Sequence, residues 1–199
     1  SKDWATILFI ICVAIIAINK AMSSVRFNEF VRRAYSDKYT KIYRDSSNLM
    51  SGFTISMFVL QLISFSFFTL LILNQFHRAE KTDLIVYIQI FTFLSVFILS
   101  KFLIEKIIAT AFKIEEFNEQ FNLLKVNYRA YFGFILLPVN IILFYNSFDS
   151  DWFFWTLLIT LITINITTYL VALKLYQNLL LRKIFYFILY LCTLEIAPY

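Results

Sequence analysis

The sequence predicts an all-α integral membrane fold, a bundle of about six transmembrane helices with two amphipathic cytoplasmic helices, on three observations. Hydrophobic residues make up 60% of the 199-residue chain and the mean hydropathy is +0.73, well above what the core of a soluble domain of this size requires. The apolar residues gather into six long runs. Fifteen of the eighteen Lys and Arg fall in alternate gaps between those runs, which is the bias left by insertion, because Lys and Arg are retained on the cytoplasmic side.

The runs cover residues 4–18, 49–73, 84–104, 130–145, 152–173 and 184–199. A helix needs about 20 residues to cross hydrocarbon, so the second, third and fifth have full length. The first lengthens through Met22 if Lys20 snorkels, and the fourth reaches Phe148 if read from Tyr131. The sixth stops at the end of the chain, and the chain opens on Ser1 instead of Met. Both ends are therefore expected to be trimmed. The first run is read as a mature span, because Lys2 and Asp3 do not make a basic leader and Asn19 and Lys20 do not make a small-residue cleavage site.

Orientation follows from the basic residues. Lys20, Arg26, Arg32, Arg33, Lys38, Lys41 and Arg44 follow the first run. Lys101, Lys106, Lys113, Lys125 and Arg129 end or follow the third, and Lys174, Arg182 and Lys183 end or follow the fifth. The other gaps hold only Lys2, Arg78 and Lys81. Six spans with both termini periplasmic, and residues 19–48, 105–129 and 174–183 cytoplasmic, fit this alternation. The net charge of +5 and pI of about 9.1 then report orientation, and no nucleic-acid partner is expected.

Two cytoplasmic stretches read as amphipathic. Across residues 25–35, Phe27, Phe30, Val31 and Ala34 share one face while Arg26, Arg32 and Arg33 turn away, the pattern of a helix lying on an anionic leaflet. Ile107, Ala111, Ile114, Phe117, Phe121 and Leu124 recur every three or four residues, which reads as the third span running on into the cytoplasm. Glu115, Glu116 and Glu119 lie on its other faces and could dock a basic partner, although a solvated face is the commoner meaning of such a run. Glycine occurs only twice, so helix packing is expected to rest on Phe, Ile and Leu instead of on small residues.

Familiar catalytic apparatus is missing, and no enzyme activity is expected. His77, the only histidine, cannot supply paired haem ligands or a His-rich metal site and is expected in a solvated turn. Cys12 and Cys192 sit singly in apolar runs and read as buried thiols. No phosphate-binding glycine loop, serine-nucleophile motif or zinc-protease motif occurs. Neither a cofactor nor a metal is expected.

A polar layer is expected at mid-membrane. Glu195 is the one acid inside a span, about 18 Å from Lys183 at about 1.5 Å per residue, and Asn140, Gln61, Ser95, Thr163 and Asn165 reach similar depth by the same count. An ionised carboxylate there is costly, so Glu195 should be protonated or hydrogen-bonded and face the interior. Pro138 and Pro198 each free a carbonyl four residues earlier. Thr156, Thr160, Thr163 and Thr167 form one face, best read as interhelical hydrogen bonding at about 0.6 kcal/mol per contact. For Glu195 a structural role and a proton or ion path remain equally open.

Three stretches carry a family resemblance: I-E-K-I-I-A-T-A-F-K-I-E-E-F-N-E-Q-F from Ile104, L-L-P-V-N-I-I-L-F-Y from Leu136, and F-Y-F-I-L-Y-L-C-T-L-E-I-A-P from Phe185. They resemble a family of multi-span inner-membrane proteins of Bacteroidota, domain of unknown function 4271, over nearly the whole chain. The closing E-I-A-P at Glu195 to Pro198 is the specific part. The resemblance implies a bacterial inner membrane in a phylum that uses type 9 secretion and gliding motility, and chain continuing past that signature. It carries over no activity, ligand or catalytic residue. The expected role is a non-enzymatic accessory, scaffold or assembly subunit of a larger inner-membrane complex, with membrane lipids and other inner-membrane subunits as partners. The competing expectation is a small transporter or proton-conducting protein using Glu195.

Overall fold

The computed structural model describes residues 2–32, 52–146, 150–175, 188 and 192. Six helices follow in order: α1 (Asp3–Met22), α2 (Ser24–Val31), α3 (Gly52–Gln75), α4 (Leu84–Ala111), α5 (Glu115–Tyr145) and α6 (Asp151–Leu175), with no strand among the described residues. Four stretches are long and apolar enough to cross a membrane: α1, α3, α4 and residues 121–145 of α5. Helix α6 adds a further apolar helix, shorter over its qualifying stretch at 151–167. The sixth expected span at 184–199, apart from Ile188 and Cys192, lies outside the described residues, as do 33–51.

Helix α3 is the centre because it carries no charged residue over 24 residues and is apolar all round. Such a helix is stable only when surrounded. Phe53, Met57, Leu60, Phe67 and Leu70 are buried along it. Helix α4 is as apolar, yet almost none of its span-length window is buried within the chain. It starts at an Asp83 cap whose carboxylate accepts from the amides of Ile85 at 2.9 Å and Val86 at 3.3 Å, satisfying two of the donors that every helix start leaves open.

Both α3 and α4 end in the same way. At the first, His77 takes a left-handed φ of 54° while Arg78 N–H donates to the Leu73 carbonyl at 2.8 Å. At the second, Lys113 takes φ 55° and Ile114 N–H donates to the Ala109 carbonyl at 2.9 Å. These are Schellman closures, which satisfy terminal carbonyls and stop a helix. The second corrects the expectation that the third span runs on through Leu124: α4 stops at Ala111, and Phe117, Phe121 and Leu124 belong to α5. The expected fourth span, 130–145, is the far part of that 31-residue helix.

Helix α2 bears out the periodicity at its start but not the expected surface. Phe27 and Phe30 are buried, meeting Phe134 edge to face at 6.1 and 6.4 Å, and Phe30 meets Phe53 at 5.8 Å. Phe27 and Phe30 therefore dock on α3 and α5 instead of facing a lipid leaflet, while Val31 stays exposed. Arg26 of α2 secures it to α3, its guanidinium 3.2 Å from the Thr54 hydroxyl and 4.8 Å above the Phe53 ring. Cys12 is buried as expected, whereas Cys192 is exposed; both thiols are free.

The most extensive packing is between α3 and α5. Gly133 makes it possible: a Cβ there would stand 2.7 Å from the Gln61 Cα. Helix α1 is held at one end by Trp4, whose ring stacks on Phe67 at 5.6 Å and whose indole N–H donates to the Thr82 carbonyl at 3.0 Å. At the other end the Ser56 hydroxyl donates to Asn19 Oδ1 at 2.9 Å.

Gly133→Ala should cost about 1–3 kcal/mol, since the obstructing atom is backbone and cannot rotate away. Gly52→Ala, with nothing within 4 Å of the added carbon, should leave stability unchanged or slightly raised. Thermal unfolding of the two variants in detergent checks this; equal melting temperatures would contradict the tight crossing.

Candidate functional site

The crossing at Gly133 brings together a polar seam. Gln61 and Ser64 are one turn apart on α3, and Asn140 lies two turns beyond Gly133 on the same side of α5. All three are fully or almost fully buried. The Asn140 amide donates to the Ser64 main-chain carbonyl at 2.7 Å, a bond possible only because the two backbones run so close. Gln61 Oε1, Ser64 Oγ and Asn140 Oδ1 have no hydrogen-bond partner, nor does the Tyr87 phenol oxygen on α4. A buried polar atom left unmatched costs about 1–3 kcal/mol, so the seam can take up hydrogen-bond donors. Pro138, inside α5, adds to it by removing the donor that would have met the Phe134 carbonyl.

Gln61 and Asn140, expected at one depth, do share this seam. Thr163 and Asn165 do not. The hydroxyls of Thr156, Thr160, Thr163 and Thr167 are exposed on α6 and each bonds the carbonyl four residues earlier on its own helix, at 2.7–2.8 Å. They hold no neighbouring described helix in register. Asn165 is exposed as well and borders a small cleft with Arg129 and Tyr169, which are joined by a 2.8 Å hydrogen bond. Ser95 on α4 bonds back to the Phe91 carbonyl at 2.7 Å. Glu195 and Pro198 lie outside the described residues.

A second polar centre was not anticipated from the sequence. Lys125 of α5 meets both oxygens of Glu105 of α4, at 3.1 and 3.3 Å, with both side chains about 95% or more buried. The Lys125 ammonium also stands 4.8 Å from the Phe121 ring. Beside this pair Asn118 and Asn122 are buried and joined at 3.0 Å. Counted along the chain, these charges are part of an ordinary basic segment between apolar runs. What turns them inward is the break at 112–114, which folds α5 back along α4. Glu115 and Glu119 are exposed in the opening turns of α5, where negative charge complements the helix dipole; the Glu116 side chain lies outside the description.

The chain matches the family model described as "Domain of unknown function (DUF4271)" over residues 5–199, so it belongs to that family, and the resemblance carried by the Ile104, Leu136 and Phe185 stretches is borne out. Neither a curated protein nor a solved structure matches it.

Glu105→Gln should be costly, about 3–5 kcal/mol, because it leaves the buried Lys125 ammonium facing a neutral group. Replacing both Glu105 and Lys125 by Met should cost less than the single change, since neither member of the pair is then left facing a neutral group. Chemical unfolding of the two variants decides the matter, and a double variant weaker than the single would show that the pair contributes more than charge cancellation.

Proposed function

We propose that this DUF4271 member is a non-enzymatic accessory, scaffold or assembly subunit of a larger bacterial inner-membrane complex. In this reading it crosses the membrane six times with both termini periplasmic, and the complexes of type 9 secretion or gliding motility are the setting implied by its family resemblance. The observation that carries the proposal is α4. From Leu84 to Ser100 it carries no charged residue, and its own chain buries almost none of its span-length window; Ile85, Ile88, Phe93, Val96, Leu103 and Ile107 are all exposed. Phe93 and Phe97 stack at 6.2 Å with planes 15° apart, presenting an aromatic ledge that suits a fixed neighbouring helix. Exposed Glu115 and Glu119, close beyond the end of α4, offer that neighbour a charged anchor.

Isolation in a gentle detergent followed by mass spectrometry should recover the chain with stoichiometric inner-membrane partners. A single species at the mass of the monomer would overturn the proposal.

One observation favours a second reading, a small transporter or proton-conducting protein: the seam of unmatched oxygens at Gln61, Ser64 and Asn140. Conduction also needs a group that changes charge, and in this reading that group is Glu195, which the sequence places in the last apolar run. Glu195→Gln keeps a donor but cannot ionise. Under conduction this variant should be abundant and inactive. Full complementation of a deletion strain by it would eliminate the second reading and leave the first standing.

A further inference from the structure

At the end of the bundle where α3 stops and α6 begins there is a cavity of about 710 Å³, within the range of roughly 300–1,000 Å³ typical of small-molecule sites. Its inner wall is apolar, made by Leu71, Leu143 and Phe154, and its rim is polar and aromatic. Two opposite charges line it, Lys81 from the turn after α3 and Asp151 from the first turn of α6.

These charges do not pair with each other. Each is held by a neutral group instead: the Lys81 ammonium reaches the Asn146 carbonyl at 3.4 Å, and an Asp151 oxygen accepts from the Gln75 amide at 2.6 Å. The first is a long contact easily exchanged, and the second leaves the other carboxylate oxygen open. Burial lowers the Lys81 pKa and the nearby Lys2 charge lowers it further, so an anion arriving at Lys81 would relieve an unfavourable setting. Phe76 and Trp155, both about half exposed, meet edge to face at 6.3 Å on the rim. Aromatic rings so placed at a helix end mark the level of lipid headgroups.

A cation and a carboxylate with no ion-pair partner among the described residues, on one cavity above an apolar wall, match a ligand that carries both charges and an apolar part. We propose that this cavity binds a zwitterionic phosphoethanolamine headgroup, with its phosphate against Lys81 and its primary ammonium against Asp151. A headgroup with only the phosphate leaves Asp151 unmatched and is repelled by it. The proposal rests on the helices being membrane spans, and it is independent of whether the chain joins a complex.

The test is native mass spectrometry of the purified full chain in non-ionic detergent, titrated with phosphatidylethanolamine, phosphatidylglycerol and soluble phosphoethanolamine. Phosphatidylethanolamine should be retained about threefold over phosphatidylglycerol, the ratio set by one partly exposed ion pair. Asp151→Asn should abolish that preference, and Lys81→Gln should weaken retention of both lipids. Retention of the lipid with no retention of the soluble compound assigns the site to membrane lipid; equal retention of the two assigns it to the free headgroup. Glu80→Gln, outside the cavity lining, should change nothing, and thermal melts confirm that the variants are folded. Equal retention of the two lipids by the unmodified chain would overturn the proposal. So would an undiminished preference in both Asp151→Asn and Lys81→Gln, which lie on separate elements and do not share a folding defect.

Discussion

The close approach of α3 and α5 at Gly133 is the constraint on which the rest of the bundle depends. With no side chain at that position the two backbones come near enough for the Asn140 amide to reach a main-chain oxygen of the neighbouring helix. A Leu or Phe there would separate the helices by the width of a side chain. Asn140 would then fall short of Ser64, and Gln61 would no longer be sealed from its surroundings. Small residues matter most where apolar burial adds little to helix association, as in lipid. The scarcity of glycine therefore sharpens its meaning, because one of only two glycines stands where the two most extensively packed helices touch backbone to backbone.

Around that axis the two ends of the bundle are built from different chemistry. At the end where α1 begins, rings of Trp4, Phe9, Phe67, Tyr87 and Phe144 pack with centroids 4.5–6.3 Å apart, and the Trp4 indole adds a hydrogen bond across to the turn before α4. Thr6 and the Tyr145 hydroxyl also bond there. At the opposite end the joints are polar: Asn19 with Ser56, Arg26 with Thr54 and Phe53, Lys125 with Glu105. Aromatic packing tolerates sliding, whereas a buried ion pair admits only one register, because moving either partner strands a charge. The polar end therefore sets how the helices align, and the aromatic end adds buried area.

Much of this was legible in the sequence, and what was missed has definite causes. Length and apolarity suffice to locate α1, α3 and α4, since a long charge-free run has few other structures open to it. The end of α4 was misread because Lys113 is not a residue that announces a left-handed turn; glycine or asparagine would have done so. The apolar spacing through Leu124 is real, but it belongs to two helices that meet at the turn. Gln61 and Asn140 were found because both are amides in apolar runs at matching depth. Thr163 and Asn165 satisfy the same arithmetic but lie exposed on α6, apart from the seam, because depth along a helix says nothing of rotation about its axis. The Glu105 and Lys125 pair was invisible because counting charge for orientation treats each basic residue alike, and pairing depends on the fold-back at 112–114.

The seam limits what the bundle can do chemically. Gln61, Ser64 and Asn140 are neutral, so they can hold water or orient a donor, but none can take up and release a proton near neutral pH. Their unmatched oxygens make a polar lining without supplying a carrier. A conduction mechanism must therefore bring an acid to them, the part that the sequence reading gives to Glu195. The scaffold reading asks less: a few unmatched atoms, tolerated because the crossing at Gly133 is worth more than they cost, and an apolar outer helix awaiting a neighbour. The same residues would then have one function, fixing the relation of α3 to α5 so that α4 is always presented outward in a single orientation.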